Sequence, residues 1–119
     1  MIIKLFNEQS IANGIIYSKE FLEEITEQLK DKELLGEFGQ GDLKFPQTVD
    51  IMNACVSYKN FRISDKGLEA DVKFLGDKKE LLENDLIDYS FGLRALTKKQ
   101  LNVPDDFQVI TFDIIEKEN

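Results

Sequence analysis

Leu34-Leu35-Gly36-Glu37-Phe38-Gly39-Gln40-Gly41 decides how this chain is read. It follows an amphipathic helical stretch and reads as a buried strand that runs into a glycine-rich loop. Three glycines in six residues imply a backbone that turns sharply or lets another group come close. A second stretch, Tyr89-Ser90-Phe91-Gly92-Leu93-Arg94, reads as its partner across a sheet. Together the two would frame a serine-centred site. The chain has no histidine, so the usual base for such a serine is missing.

Around this pair the elements follow from periodicity. Met1 to Phe6 is a first strand, Asn13-Gly14 a turn, and Ile15-Ile16-Tyr17 a further apolar piece. Ser18 stands where a helix N-cap belongs, with Glu20 in the first turn. Phe21, Leu22, Ile25 and Leu29 share one face of that helix, while Glu23, Glu24, Glu27 and Gln28 face water. The helix should end near Asp31. Gly39 to Pro46 is a loop, and Thr48 to Asn53 fits no single template. Ala54 to Ile63 and Leu68 to Phe74 alternate cleanly around the Asp65-Lys66-Gly67 turn, which makes a hairpin. Lys78 to Asp85 is a short helix, Ile87 to Ala95 a strand, and Thr97 to Asp106 a connection with Pro104. Val109 to Ile115 is an apolar strand buried on both faces. The expected fold is α+β: a mainly antiparallel sheet or partly closed barrel with two helices, in a single domain over residues 1–119.

Composition narrows the chemistry. The 119 residues are 42% hydrophobic and 32% charged, the profile of a globular chain. A net charge of −8 argues against binding nucleic acid through its phosphates. With one cysteine and no histidine, zinc and thiol–histidine chemistry are close to excluded; carboxylates alone could still hold Mg²⁺ or Ca²⁺, but they are scattered without EF-hand spacing, and no cofactor is expected. Cys55 reads as a small buried hydrophobe. Phe61, Phe74, Phe91, Phe107 and Phe112 read as core. No apolar run reaches the length of a membrane span, and the N-terminus lacks the form of a signal peptide.

Three segments carry a family resemblance. Asn13-Gly14-Ile15-Ile16-Tyr17-Ser18, Leu35-Gly36-Glu37-Phe38-Gly39-Gln40-Gly41 and Tyr89-Ser90-Phe91-Gly92-Leu93-Arg94 occur in an order that resembles the prohead (capsid maturation) serine proteases of tailed phages. The fold of that family is similar to herpesvirus assemblin. The resemblance places Ser90 at the nucleophile position, Gln40 at the position of the catalytic histidine and Tyr58 at that of a second histidine. Arg94 then takes the place of an oxyanion-side arginine, with a surface carboxylate partner as its plainer reading. A glutamine amide does not titrate near neutral pH and cannot replace the base. Losing the base costs about three to six orders of magnitude in rate, by comparison with triad knockouts.

The resemblance therefore implies a protease-like fold without protease activity. The expected function is a phage structural or capsid-assembly protein, in the virion or the host cytoplasm, whose partner is a capsid, scaffold or protease subunit. Two alternatives stand beside it. One is an active peptidase with a lysine or carboxylate as base, for which Lys44, Lys59 and Lys73 are candidates. The other is a small acidic inhibitor of a host protein.

Overall fold

The computed structural model describes residues 1–12, 15–39, 48–97 and 107–117. Strand β1 (Ile2–Asn7) is followed by β2 (Ser10–Ala12) and β3 (Ile15–Tyr17), which pair antiparallel. The Asn13-Gly14 turn lies outside the described residues. Helix α1 (Lys19–Gln28) comes next, then β4 (Leu34–Glu37), a 3₁₀ turn at Ile51–Asn53, and the hairpin of β5 (Ala54–Ser64) and β6 (Gly67–Phe74). A 3₁₀ turn leads into α2 (Lys79–Glu83), followed by β7 (Tyr89–Thr97) and β8 (Phe107–Glu116), again antiparallel.

Ser18 starts α1 as the sequence implies. Its backbone is extended and its Oγ accepts the Phe21 N–H at 3.1 Å. Such a cap stabilises a helix by about 1 kcal/mol. Phe21, Leu22, Ile25 and Leu29 are buried beneath it. The helix stops at Gln28, three residues before the expected end, and Gln28 does not simply face water. Its Nε2 donates to the Phe107 carbonyl at 2.9 Å and its Oε1 accepts the Val109 N–H at 2.8 Å. One amide side chain thus meets both backbone groups at the start of β8, a pairing across 79 and 81 residues that helical periodicity cannot reveal.

The strands form a four-stranded sheet in the order β1-β6-β5-β4 and a two-stranded sheet of β7 and β8. The β5–β6 turn places Asp65 and Lys66 both at positive φ, the geometry that matches strand twist in a two-residue hairpin. A bulge between Lys59 and Arg62, with Asn60 at φ 57°, turns Arg62 toward Glu69 at 2.9 Å.

The sheets meet where β4 approaches β8. Phe38 bridges Ile114 in parallel, and the Gly39 N–H donates to the Ile114 carbonyl at 2.7 Å. β8 therefore lies between β4 and β7. The stretches around Gly36 and Ser90 were expected as direct sheet partners, but they are separated by one strand. The described strands do not close into a barrel.

Gly36 makes this meeting possible. A Cβ there would overlap the Phe112 carbonyl oxygen and stand 2.8 Å from Val56 Cγ1. Around the junction lies a buried aromatic set: Phe6 stacks on Tyr17 at 4.2 Å, and Tyr58 and Phe61 pack against Phe112. Because backbone blocks the Cβ, Gly36→Ala should destabilise the protein by about 2–3 kcal/mol, an overpacking cost without an easy relaxation. Urea unfolding measures it, and a change under about 0.5 kcal/mol would show that β4 and β8 are not in contact.

Candidate functional site

Arg94 leaves β7 on the same face as Ser90 and Gly92. Gly92 sits opposite Asp113 of β8 and has no side chain to block the way. The guanidinium reaches across this gap. Its Nε donates to Asp113 Oδ2 at 3.0 Å and its Nη2 to Asp113 Oδ1 at 2.6 Å. The same Nη2 donates to Glu37 Oε2 on β4 at 3.0 Å, and Nη1 to the Thr48 carbonyl at 2.9 Å. Asn53 donates to the other Glu37 oxygen at 3.1 Å, and the Glu37 N–H to Asp113 Oδ1 at 3.1 Å. Arg94 is 7% exposed, Glu37 4% and Asp113 0%. Three strands and the segment entering the 3₁₀ turn therefore share one buried charge cluster.

The electrostatics follow from these contacts. Burial pushes the Glu37 carboxyl up, but the hydrogen bonds from Asn53 and Arg94 and the arginine charge outweigh it and hold the group below its ordinary range. Burial also opposes the Arg94 charge. Its bonds to Asp113 and Glu37 prevail and raise it above its ordinary value. The plainer sequence reading of Arg94 gave it a surface carboxylate. It has two buried ones instead.

Tyr58 is buried in the core, with its hydroxyl donating to the Phe112 carbonyl at 2.8 Å. Burial pushes that hydroxyl well above its usual range. Cys55 is buried too, and desolvation pushes its thiol up to about 12, so it carries no thiolate at neutral pH. Gln40 lies outside the described residues, as does Lys44. Ser90 is half-buried on β7 and lines a shallow depression of about 410 Å³ with Lys4, Leu5, Asp85, Ile87 and Asp88 among its walls. Among the described residues no side chain hydrogen-bonds Ser90 Oγ. Lys59 and Lys73 line a different depression, with Met1, Glu33 and Glu83.

Ser90 and Arg94 are thus on one strand and one face, and the tertiary structure sends them to different surroundings. Sequence reasoning missed Asp113 and Asn53. The one available signal was an acid inside the apolar run Val109 to Ile115, where burial demands a cationic partner. Among the described residues no group of three or more Asp, Glu or Cys side chains is arranged to hold a metal ion.

No protein-family profile matches the chain, and no curated protein matches it. Among solved structures it is similar to the capsid assembly protease gp21 of bacteriophage T4, with a TM-score of 0.65 over 97% of this chain and 79% of that one. The identity is 16%, so the likeness is one of fold.

Removing the cation would leave two carboxylates buried and unpaired. Arg94→Met should therefore cost about 3–5 kcal/mol in urea unfolding. Glu37 is lowered in the folded state, so its contribution is present above the unfolded carboxyl pKa of about 4.3 and is lost as pH falls through its depressed folded value. Stability measured from pH 7 down to pH 2 should drop across that window, and more shallowly in Glu37→Gln. An identical slope in the variant would contradict the linkage.

Proposed function

We propose that the chain is a non-catalytic phage structural or capsid-assembly protein that binds another virion or scaffold protein. It acts in the host cytoplasm or the virion on a prohead-protease-like scaffold. One observation carries the reading: Ser90 stands in an open depression with no base bonded to its hydroxyl among the described residues, in a chain without histidine. A serine hydroxyl without a base is a poor nucleophile. The T4 neighbour is a capsid assembly protease, and the fold likeness to it supports the capsid context. Arg94 supports the loss of catalysis, because its described bonds go to Asp113, Glu37 and Thr48. A fixed guanidinium in a buried ion cluster stabilises strands rather than a developing oxyanion.

A serine peptidase with lysine as base is the competing reading, and Lys4 favours it by lining the same depression as Ser90. Yet Lys4 Nζ donates to the Asp65 carbonyl at 3.1 Å and lies 3.7 Å from the Asp65 carboxylate. Its amine is thus engaged at the β5–β6 turn, and among the described residues no hydrogen bond links it to Ser90.

A fluorophosphonate probe distinguishes the two. The purified protein should label no faster than Ser90→Ala. Labelling lost in Ser90→Ala and reduced in Lys4→Met would establish an active serine. For the assembly role, immunoblots of proheads purified from infected cells should contain the protein. Its confinement to the soluble fraction would overturn that role.

A further inference from the structure

The depression beside Ser90 lies between two strand edges. Met1 and Val72 exchange hydrogen bonds, with its terminal ammonium on the Val72 carbonyl at 3.0 Å and the Val72 N–H on the Met1 carbonyl at 2.7 Å. Alternation then turns the backbone groups of Ile2 and Lys4 away from β6. On the other side, the Lys117 N–H donates to the Asp88 carbonyl at 2.9 Å. The Phe112 and Ile114 carbonyls of β8 accept from Tyr58 and Gly39 on the β4 side. Leu93 opposite Phe112 and Phe91 opposite Ile114 are therefore non-hydrogen-bonded pairs. The N–H and C=O groups of Phe91 and Leu93 point away from β8, and among the described residues no backbone group meets them.

Natural sheets protect such an edge with lysine, proline, a bulge or an inward-pointing charge. Tyr89 to Leu93 carries none of these, although β1 runs close beside it across the depression. The bulge of β7 comes later, between Arg94 and Ala95, and the Arg94 charge is taken up by Asp113 and Glu37. The walls of the depression include Leu5, Ile87 and Tyr89, and Asp85 and Asp88 are exposed at its rim. Lys4, on the wall of the same depression, makes its described contacts with Asp65, at 3.1 Å to the carbonyl and 3.7 Å to the carboxylate.

We infer that the outer edge of β7 from Tyr89 to Leu93 is a docking site for an extended, basic segment of a partner protein, which adds to the sheet as a further strand. Main-chain hydrogen bonds to Phe91 and Leu93 supply the affinity, and Asp85 and Asp88 select lysine or arginine side chains. A second copy of the chain fits poorly. Each copy carries a charge of −8, and pairing two β7 edges would bring the Asp85 and Asp88 rims together. The inference rests on the assembly reading only in taking a protein as the partner.

The test uses the full-length, ¹⁵N-labelled protein and a short peptide alternating lysine and valine, with a glutamate–valine peptide as control. With the lysine peptide, amide exchange at Phe91 and Leu93 should slow about tenfold or more, while Ser90 and Gly92, already turned toward β8, stay unchanged. The glutamate peptide should leave all four as they were. Asp88→Lys, at an exposed position, should weaken lysine-peptide binding about tenfold. Equal protection by both peptides, or none, overturns the site. Protection that grows with protein concentration in the absence of peptide assigns the edge to self-association and overturns it too. Prohead association without protection at Phe91 and Leu93 would remove this site and leave the assembly role standing. Protection by the lysine peptide without prohead association would do the reverse.

Discussion

The buried cluster of Arg94, Asp113 and Glu37 is the constraint on which the rest of the structure depends. It takes one residue from each of β7, β8 and β4, and adds Thr48 and Asn53 from the segment entering β5. Among the described residues the backbone bridge between the two sheets is at Phe38 and Ile114, so their attachment relies largely on side chains. Charges taken out of water gain little net energy when paired, yet they are costly when any partner leaves. A cluster of this kind fixes which strands meet and in what register more than it adds to stability. Hydrophobic contacts alone would tolerate a slip of β8 along β4. The Glu37 N–H on Asp113 and the Arg94 guanidinium shared by Glu37 and Asp113 would not.

Close backbone approach is the second constraint, and it acts with the first. Gly36 lets the Phe112 carbonyl sit where a side chain would stand, and Gly92, opposite Asp113, carries no side chain beside the Arg94–Asp113 contact. Tyr58, Thr111 and Gln28 then meet backbone groups that the imperfect strand pairing leaves over: Tyr58 donates to Phe112, Thr111 to Leu35, and Gln28 engages Phe107 and Val109. Among the described residues no buried side-chain polar atom is left without a partner. The junction of the sheets is thus polar and specific, while the aromatic set around Tyr17, Phe21 and Phe112 supplies the hydrophobic driving force.

These features bear on the functional reading. In a serine peptidase the nucleophile, its base and the oxyanion donors converge on one point. Here Ser90 opens to a shallow surface depression, and Arg94, four residues along the same strand, is turned into the protein interior. Strand rise alone separates the two Cα atoms by about 13 Å. The fold is similar to that of a capsid assembly protease, and the Phe91 and Leu93 backbone groups of the Ser90 strand point away from β8. Strand addition at such an edge requires no proton transfer.

Local pattern by itself determined most elements of this chain. Ser18 and the Phe21, Leu22, Ile25, Leu29 face fixed α1, and strict alternation on either side of Asp65-Lys66 fixed the β5–β6 hairpin. The glycines around Glu37 announced a close approach, and the lone Cys55 and the phenylalanines announced the core. The absence of histidine is legible in composition. Only the tertiary structure decided what those elements meet. The partner of Arg94 is 19 residues away at Asp113 and 57 away at Glu37, and Gln28 finds its partners 79 and 81 residues on. No periodicity of 2 or 3.6 residues encodes such distances, because they arise from strand order. For the same reason β8, not β7, came to lie beside β4: alternation tells which face of a strand is buried, and says nothing of which strand lies along its edge.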